Sequence, residues 1–296
     1  MKVSKVLHTS VWGALAFAVI GLVWGMISSS QMILFDGAYS MIGVLLALLS
    51  LLSLRYLKKE DQAHFPYGKE SIEPLVVIIK SVIISVLCLL AIISSVSEIA
   101  AGGREVVLSH ALGYAAFSTA GCYAVFRLMK TNSQSELIKA EAAQWLMDTW
   151  LSAVVLIGFF IAWVLGQTPL TFLVPYIDPF MVLIVSGYFL TVPYSLIKTN
   201  GRELLRMTPS KDIREKIASA VQAVKSSYRM EEAVLRTSKI GKTLYVEIDV
   251  VVSERSLVYT VEEMDKVREE LEEKLAGIPL EKWITVSFTK DVKWTV

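Results

Sequence analysis

Acidic residues inside long apolar stretches are the residues of this sequence best suited to chemistry. Asp36, Glu141 and Asp148 each lie among hydrophobic residues that could cross a membrane. A carboxylate at the bilayer centre costs about 2.5–3.5 kcal/mol, so three deep, unpaired acids would cost on the order of 8–10 kcal/mol. Lys80 is the only basic residue at a comparable depth in these stretches, and it cannot neutralise all three. The acids therefore predict a site that handles a cation.

Polar side chains repeat at helical spacing around two of these acids. Asp36 and Ser40 are four residues apart, as are Gln144 and Asp148, so each pair shares one face of a helix. On antiparallel helices, Asp36 and Tyr39 would approach Asp148. Facing helices in a bundle can surround a metal ion with such pairs. We predict a cation site formed by Asp36, Tyr39, Ser40, Gln144, Asp148 and, nearest the cytoplasm, Glu141.

Each acid also has a structural interpretation. Asp36 could cap a helix or form a hydrogen bond near the outer interface. Glu141 could pair with Lys80 or lie in a cytoplasmic vestibule. Asp148 lies near the middle of its stretch, which makes it the strongest candidate for a ligand. Asp178, at the start of the last apolar stretch, is interpreted as a helix-start residue in the outer interface.

Six apolar stretches could each form a transmembrane helix. Of the 296 residues, 54% are hydrophobic and only 19% are charged, which is too little charge for a soluble protein of this size. A span needs about 20 apolar residues. The stretches lie near 9–28, 31–56, 73–101, 109–129, 140–166 and 176–198. The fourth is short and rich in Gly, Ala and Ser, which suits a span packed closely against other helices.

Lysine and arginine lie mostly on one side of these stretches. The N-terminus and segments 55–72, 127–139 and 198–206 carry many of them, whereas the opposite connections carry only Arg104. Because positive charge marks the cytoplasmic side, we predict an integral protein of the cell membrane with both termini in the cytoplasm. The net charge of +1 does not favour a nucleic-acid partner, and lipids are the expected surroundings.

The last part of the chain has the pattern of a soluble domain. Ser210 can cap a helix, and Thr260 with Glu263 forms a capping box before a second helix. Alternating apolar residues predict strands at Val234–Ser238 and Thr243–Val251 and around Ile284, Val286 and Phe288. The order is α-β-β-α-β.

These elements predict two domains. A six-helix transmembrane bundle occupies residues 1–206, and a cytoplasmic α+β domain of ferredoxin-like or metallochaperone-like form occupies residues 207–296. The second domain is small enough that dimerisation would help to stabilise it.

Three segments are similar to motifs of the cation diffusion facilitator family, which exports divalent metals in exchange for protons. Residues 61–73, DQAHFPYGKESIE, resemble D-x-x-H-x-Y-G-H-x-K-x-E with one extra residue. Residues 35–40, FDGAYS, resemble A-D-A-x-H-S, and the run from Ala140 through Asp148 to Ser152 resembles A-E-A-x-H-x-x-x-D-x-x-x-S. The resemblance covers nearly the whole chain. It implies a homodimeric membrane transporter rather than an enzyme, with no cofactor.

The sequence departs from the family pattern at the ligand positions. The second-span pair falls on Tyr39 and Gly43, and the fifth-span pair falls on Gln144 and Asp148. Lys69 stands where a second site has histidine, which predicts that the loop site is empty. In the soluble domain, the positions that often carry histidine in zinc-binding members hold Ala233, Asp249, Val261 and Ser287. With three histidines in the chain, a histidine-built zinc centre there is not expected.

The predicted ligand set leaves the transported ion open. Oxygen ligands favour Mn²⁺, Fe²⁺ or Mg²⁺ over Zn²⁺, although all four remain candidates. One alternative is a family member that no longer transports and acts as a membrane-anchored interaction or regulatory protein. Another is a transporter of a monovalent or organic cation, with Lys80 modulating the site. An enzyme is disfavoured because the sequence has no nucleophile–base pair, phosphate loop or cofactor motif.

Overall fold

The computed structural model describes residues 3–57, 63–131 and 136–295. The chain forms two compact units. The first combines the segment ending at Leu52 with Lys80–Ser195, and the second combines Ser53–Ile79 with Leu196–Val296.

Long apolar helices occupy the predicted membrane stretches. Their bounds are α1 Val3–Ser28, α2 Gln31–Leu57, α3 Ile72–Ala100, α4 Leu108–Thr131, α5 Glu136–Leu165 and α6 Val174–Leu204. Among the described residues, four segments are long and apolar enough to cross a membrane: Ser10–Ser28, Ile72–Ala100, Gln144–Leu165 and Thr171–Leu204. The chain therefore has a membrane-embedded helical part.

Small residues allow helices of the first unit to approach closely. Gly21 of α1 and Gly37 of α2 face each other, and a Cβ atom on Gly37 would lie 2.6 Å from the Leu22 nitrogen and 2.8 Å from the Gly21 carbonyl carbon. Helices α4 and α5 pack along each other, and α1 packs on both. The apolar core between helices includes Met32, Ile33, Phe35, Tyr114, Val155, Phe159 and Val182.

Replacing Gly37 by alanine is expected to destabilise the protein by about 1–3 kcal/mol, the usual range for overpacking. The added methyl group meets backbone atoms of α1, which cannot rotate away, so the two helices must separate. Thermal unfolding in detergent measures the effect. Gly43→Ala is the matched control on the same helix, because nothing lies within 4 Å of a Cβ there. Equal stability of the two variants would contradict the close crossing of α1 and α2.

The second unit contains a small mixed sheet. Its elements are α7 Lys211–Ser227, β1 Glu232–Ile240, β2 Thr243–Val251, α8 Val261–Leu275 and β3 Glu281–Thr289. The strand order is β1-β2-β3, with β1 antiparallel and β3 parallel to β2. Alternate residues of β2 enter a core shared with α7 and α8: Leu244, Val246, Ile248 and Val250.

The helix starts of this unit agree only partly with the prediction. The capping box of α8 is confirmed, because the Glu263 amide donates to the Thr260 side chain and the Glu263 carboxylate accepts from the Thr260 amide. The amides of Tyr259 and Thr260 hold the pKa of Glu263 below its usual value. Ser210 occupies the N-cap of α7, but its side chain makes no capping hydrogen bond.

Strand β1 is longer than predicted, since it pairs with all of β2.

The last turn of α6 belongs to this unit and contacts the β1–β2 hairpin. The Lys239 ammonium lies 2.5 Å from Glu203 Oε1, and the Gly241 amide donates to Glu203 Oε2 at 2.9 Å. Gly241 has a φ of +56°, a conformation that glycine adopts readily. One carboxylate thus joins α6 to the turn of the sheet.

Candidate cation-binding site

Asp36 lies in the first turns of α2 and is hydrogen-bonded to α4. The Tyr114 hydroxyl donates to Asp36 Oδ2 at 3.3 Å, and Tyr114 is only 3% exposed. Sequence reasoning did not identify Tyr114, because no spacing rule connects α4 to α2. A hydroxyl facing a carboxylate in an apolar core supplies a polar partner without a neutralising charge.

A small cavity adjoins Asp36 between α2, α4 and α5. Its volume is about 10 Å³, room for roughly one water-sized species. Ser118 of α4 and Ser152 of α5 form a hydrogen bond of 3.0 Å in its wall. The remaining lining is largely apolar: Met32, Ile33, Ala115, Leu151 and Val155. One carboxylate, one phenol and two hydroxyls therefore line this confined space.

Asp148 of α5 is half-buried and lies in the same part of the bundle. It is within electrostatic range of Tyr39. The Cys122 thiol of α4 is within range of both Asp148 and Asp36. Tyr39 packs its ring on Phe189 of α6, with 4.7 Å between the ring centroids. Asp36 and Asp148 thus both lie near Cys122 of α4, and Tyr39 lies near Asp148 and α6.

The other predicted ligands are less well defined by the structure. Ser40 is half-buried and Gln144 is exposed, and their roles remain predictions. Glu141 belongs to α5, but its side chain is outside the part of the chain that the structure describes. Among the side chains that the structure describes, which do not include Glu141, no three His, Cys, Asp or Glu residues are grouped closely enough to hold a metal ion. The two described acids would need tyrosine, serine or glutamine oxygens to complete a coordination shell.

The loop before α3 contains a buried cation of its own. Lys69 is 8% exposed, and its Nζ lies 4.2 Å from the centre of the Tyr56 ring and 5.1 Å from that of Phe65. Aromatic faces attract an ammonium group at such distances. A metal ion near this position would be repelled by Lys69.

Asp249 on β2 is engaged by a neighbouring strand. The Arg236 guanidinium lies 2.5 Å from Asp249 Oδ2, and Arg236 also donates to the Thr295 carbonyl. A metal ion bound to this carboxylate would have to compete with an arginine.

Long apolar helices with acids in their core, followed by a small mixed sheet, define a helical integral membrane protein with a soluble domain. A model of the cation efflux transmembrane domain matches residues 7–205, which is more than half of the chain. The protein therefore belongs to the cation efflux family, whose members are transporters and not enzymes. The resemblance to cation diffusion facilitators is confirmed.

The chain is also similar to a bacterial transporter. It is 24% identical to the uncharacterized transporter YdbO of Bacillus subtilis (strain 168) over 270 residues, which cover 90% of this chain and 88% of that protein. A match of this length extends from the helices into the soluble domain.

Proposed function

We propose that the protein exports a divalent cation in exchange for protons by alternating access. The observation that supports this proposal is the position of Asp36, which accepts a hydrogen bond from the buried Tyr114 beside a cavity lined by Ser118 and Ser152. Asp148 of α5 lies near the same part of α4. Carboxylates held among apolar helices are energetically costly, and for that reason they commonly mark ion or proton pathways. A divalent cation would bind the ionised acids, with Tyr39, Ser40, Gln144 and Glu141 as further ligands. Protonation of the acids on the far side of the membrane would release it.

Mn²⁺, Fe²⁺ and Mg²⁺ are the proposed substrates in preference to Zn²⁺. The side chains near Asp36 offer phenol, hydroxyl and carboxylate oxygens, and such hard ligands suit these ions. The Cys122 thiol lies beside the Ser118 and Ser152 hydroxyls, so this soft donor is accompanied by hard oxygens.

The proposed arrangement has six spans, with both termini in the cytoplasm and the soluble domain beginning near residue 207. Helix α4 is less apolar than the others, but it buries Ala111, Tyr114, Ala115, Ser118, Cys122 and Met129. Small residues permit this close packing within a membrane. A homodimer, built partly through the small soluble domain, completes the proposal.

Flux into proteoliposomes tests the function. Vesicles containing the purified protein and a metal-sensitive dye should take up Mn²⁺ faster than empty vesicles, and an internal pH dye should report protons moving the opposite way. A pH gradient of the correct sign should accelerate uptake. Metal uptake without proton movement would contradict the exchange mechanism, and no uptake of any divalent ion would contradict transport.

A second candidate function is a membrane-anchored interaction or regulatory protein. It is favoured by the absence of a three-residue His, Cys, Asp or Glu cluster in the described part of the chain. Such a protein would bind no divalent ion with useful affinity. Calorimetry on the purified protein separates the two candidates, because only a transporter should give a saturable heat signal on addition of its cation.

A further inference from the structure

Asp178 of α6 caps a different helix from its own. The Ser30 hydroxyl donates to Asp178 Oδ1 at 2.5 Å. The Gln31 amide donates to Oδ2 at 2.8 Å, and the Met32 amide donates to Oδ1 at 3.3 Å. Asp178 lies in the second turn of α6 and is 2% exposed. It is therefore close to a helix start, as predicted, but the helix start that it caps is that of α2.

This cap satisfies the first residues of α2 inside the protein. The first four amides of a helix have no partner within it, and the helix dipole favours a negative charge at that end. The Asp178 carboxylate supplies acceptors for two of these amides. The Ile33 amide finds a third acceptor in the Ser30 hydroxyl. Removing the carboxylate would leave buried donors unsatisfied.

Neighbouring contacts hold the same end of α2. Gln31 accepts a hydrogen bond from Ser95 of α3 at 3.1 Å. Arg104 donates to the Ser29 carbonyl at 2.6 Å, pairs with Glu98 at 2.6 Å, and lies within electrostatic range of Asp178. The start of α2 is thus tied to α3, to the segment after α3, and to α6.

The capped turn leads directly to the candidate cation site. Asp36 follows Gln31 by five residues, or about 7.5 Å of helix. Met32 and Ile33, which belong to the capped turn, line the cavity beside Asp36. We infer that Asp178 is a positioning residue. It fixes the axial position and the rotation of α2, so that Asp36 is hydrogen-bonded to Tyr114 and lines the cavity. This inference rests on the proposed function, since it assigns Asp178 a role in that same site.

The test combines hydrogen exchange and transport on the full-length protein in lipid. Asp178→Ala should accelerate exchange of the Gln31 and Met32 amides by roughly tenfold or more, as expected for lost hydrogen bonds to a charged acceptor. It should also raise the KM for Mn²⁺ more than it lowers the maximal rate, because a displaced Asp36 weakens cation binding. Asp178→Asn keeps one acceptor oxygen and should restore part of both properties. Glu105→Ala removes an exposed carboxylate and should change neither.

Each outcome has one interpretation. Faster amide exchange with a raised KM, partly restored by asparagine, supports the positioning role. Unchanged exchange in Asp178→Ala shows that the cap does not hold α2, and faster exchange with an unchanged KM shows that the cap does not position the site; either result overturns the inference. Suppose that the wild-type protein moves no divalent ion, while Asp178→Ala still shows faster exchange of the Gln31 and Met32 amides. The proposed transport function would then be wrong, although Asp178 would still cap α2.

Discussion

Asp148→Asn is expected to reduce divalent-cation flux by at least about tenfold, since disturbing even the groups that support metal ligands commonly costs 10–100-fold. Asparagine nearly matches aspartate in shape, so the packing of α5 should be retained while the negative charge is lost. That charge is the attraction that the Asp148 side chain offers to a cation. Initial rates of Mn²⁺ uptake into proteoliposomes, normalised to reconstituted protein, measure the effect.

Two controls make the Asp148 result specific. Glu105→Gln removes a negative charge from an exposed position in the first unit and should leave flux unchanged. Asp36→Asn should behave like Asp148→Asn, because both acids are assigned to one site. Wild-type flux in Asp148→Asn would show that the acid of α5 is not a ligand.

Glu203→Gln is expected to loosen the junction between α6 and the sheet by about 2–3 kcal/mol, because hydrogen bonds to a buried charged group contribute about 1.5–3 kcal/mol each. The substitution weakens two contacts at once, the Lys239 ion pair and the Gly241 amide bond. Glu203 and Lys239 have side chains only 16% and 29% exposed, so solvent screens them less than a surface pair. Exchange of the amides in the β1–β2 hairpin measures the loss.

The control for Glu203 is an exposed ion pair of the same unit. Lys211 and Glu215 lie 3.7 Å apart with side chains 76% and 62% exposed, and such pairs contribute only about 0.3–0.5 kcal/mol. Glu215→Gln should therefore leave hairpin exchange unchanged. The double substitution Glu203→Lys with Lys239→Glu should recover part of the protection by restoring the charge pair. Hairpin protection that is identical in Glu203→Gln and Glu215→Gln would contradict a role for Glu203 at this junction.

Local patterns predicted the elements of this protein well. The capping box of Thr260 and Glu263 is a short-range rule and was confirmed. The alternation of Leu244, Val246 and Ile248 identified the buried face of β2 because side chains of a strand point alternately to its two faces. Apolar length predicted α3 and α5 as membrane helices.

Contacts between distant helices could not be predicted in the same way. Helical periodicity states which residues share a face, but it does not state which helix that face meets. Tyr114 is 78 residues from Asp36 and was missed for this reason. Asp178 precedes a proline in sequence, which suggested a local role, whereas its partners lie at the start of α2. The same holds for Gly21 and Gly37, because the need for glycine at these positions is seen only where the backbones of α1 and α2 approach each other.

Calorimetric titration of the purified protein with Mn²⁺ tests most directly whether Asp36 and Asp148 hold the transported cation. Wild-type protein should bind the ion with saturable heat, and each single substitution to asparagine should weaken binding. The double variant should show no saturable heat, although its thermal unfolding remains that of a folded protein. Undiminished binding by the folded double variant would place the cation elsewhere in the molecule.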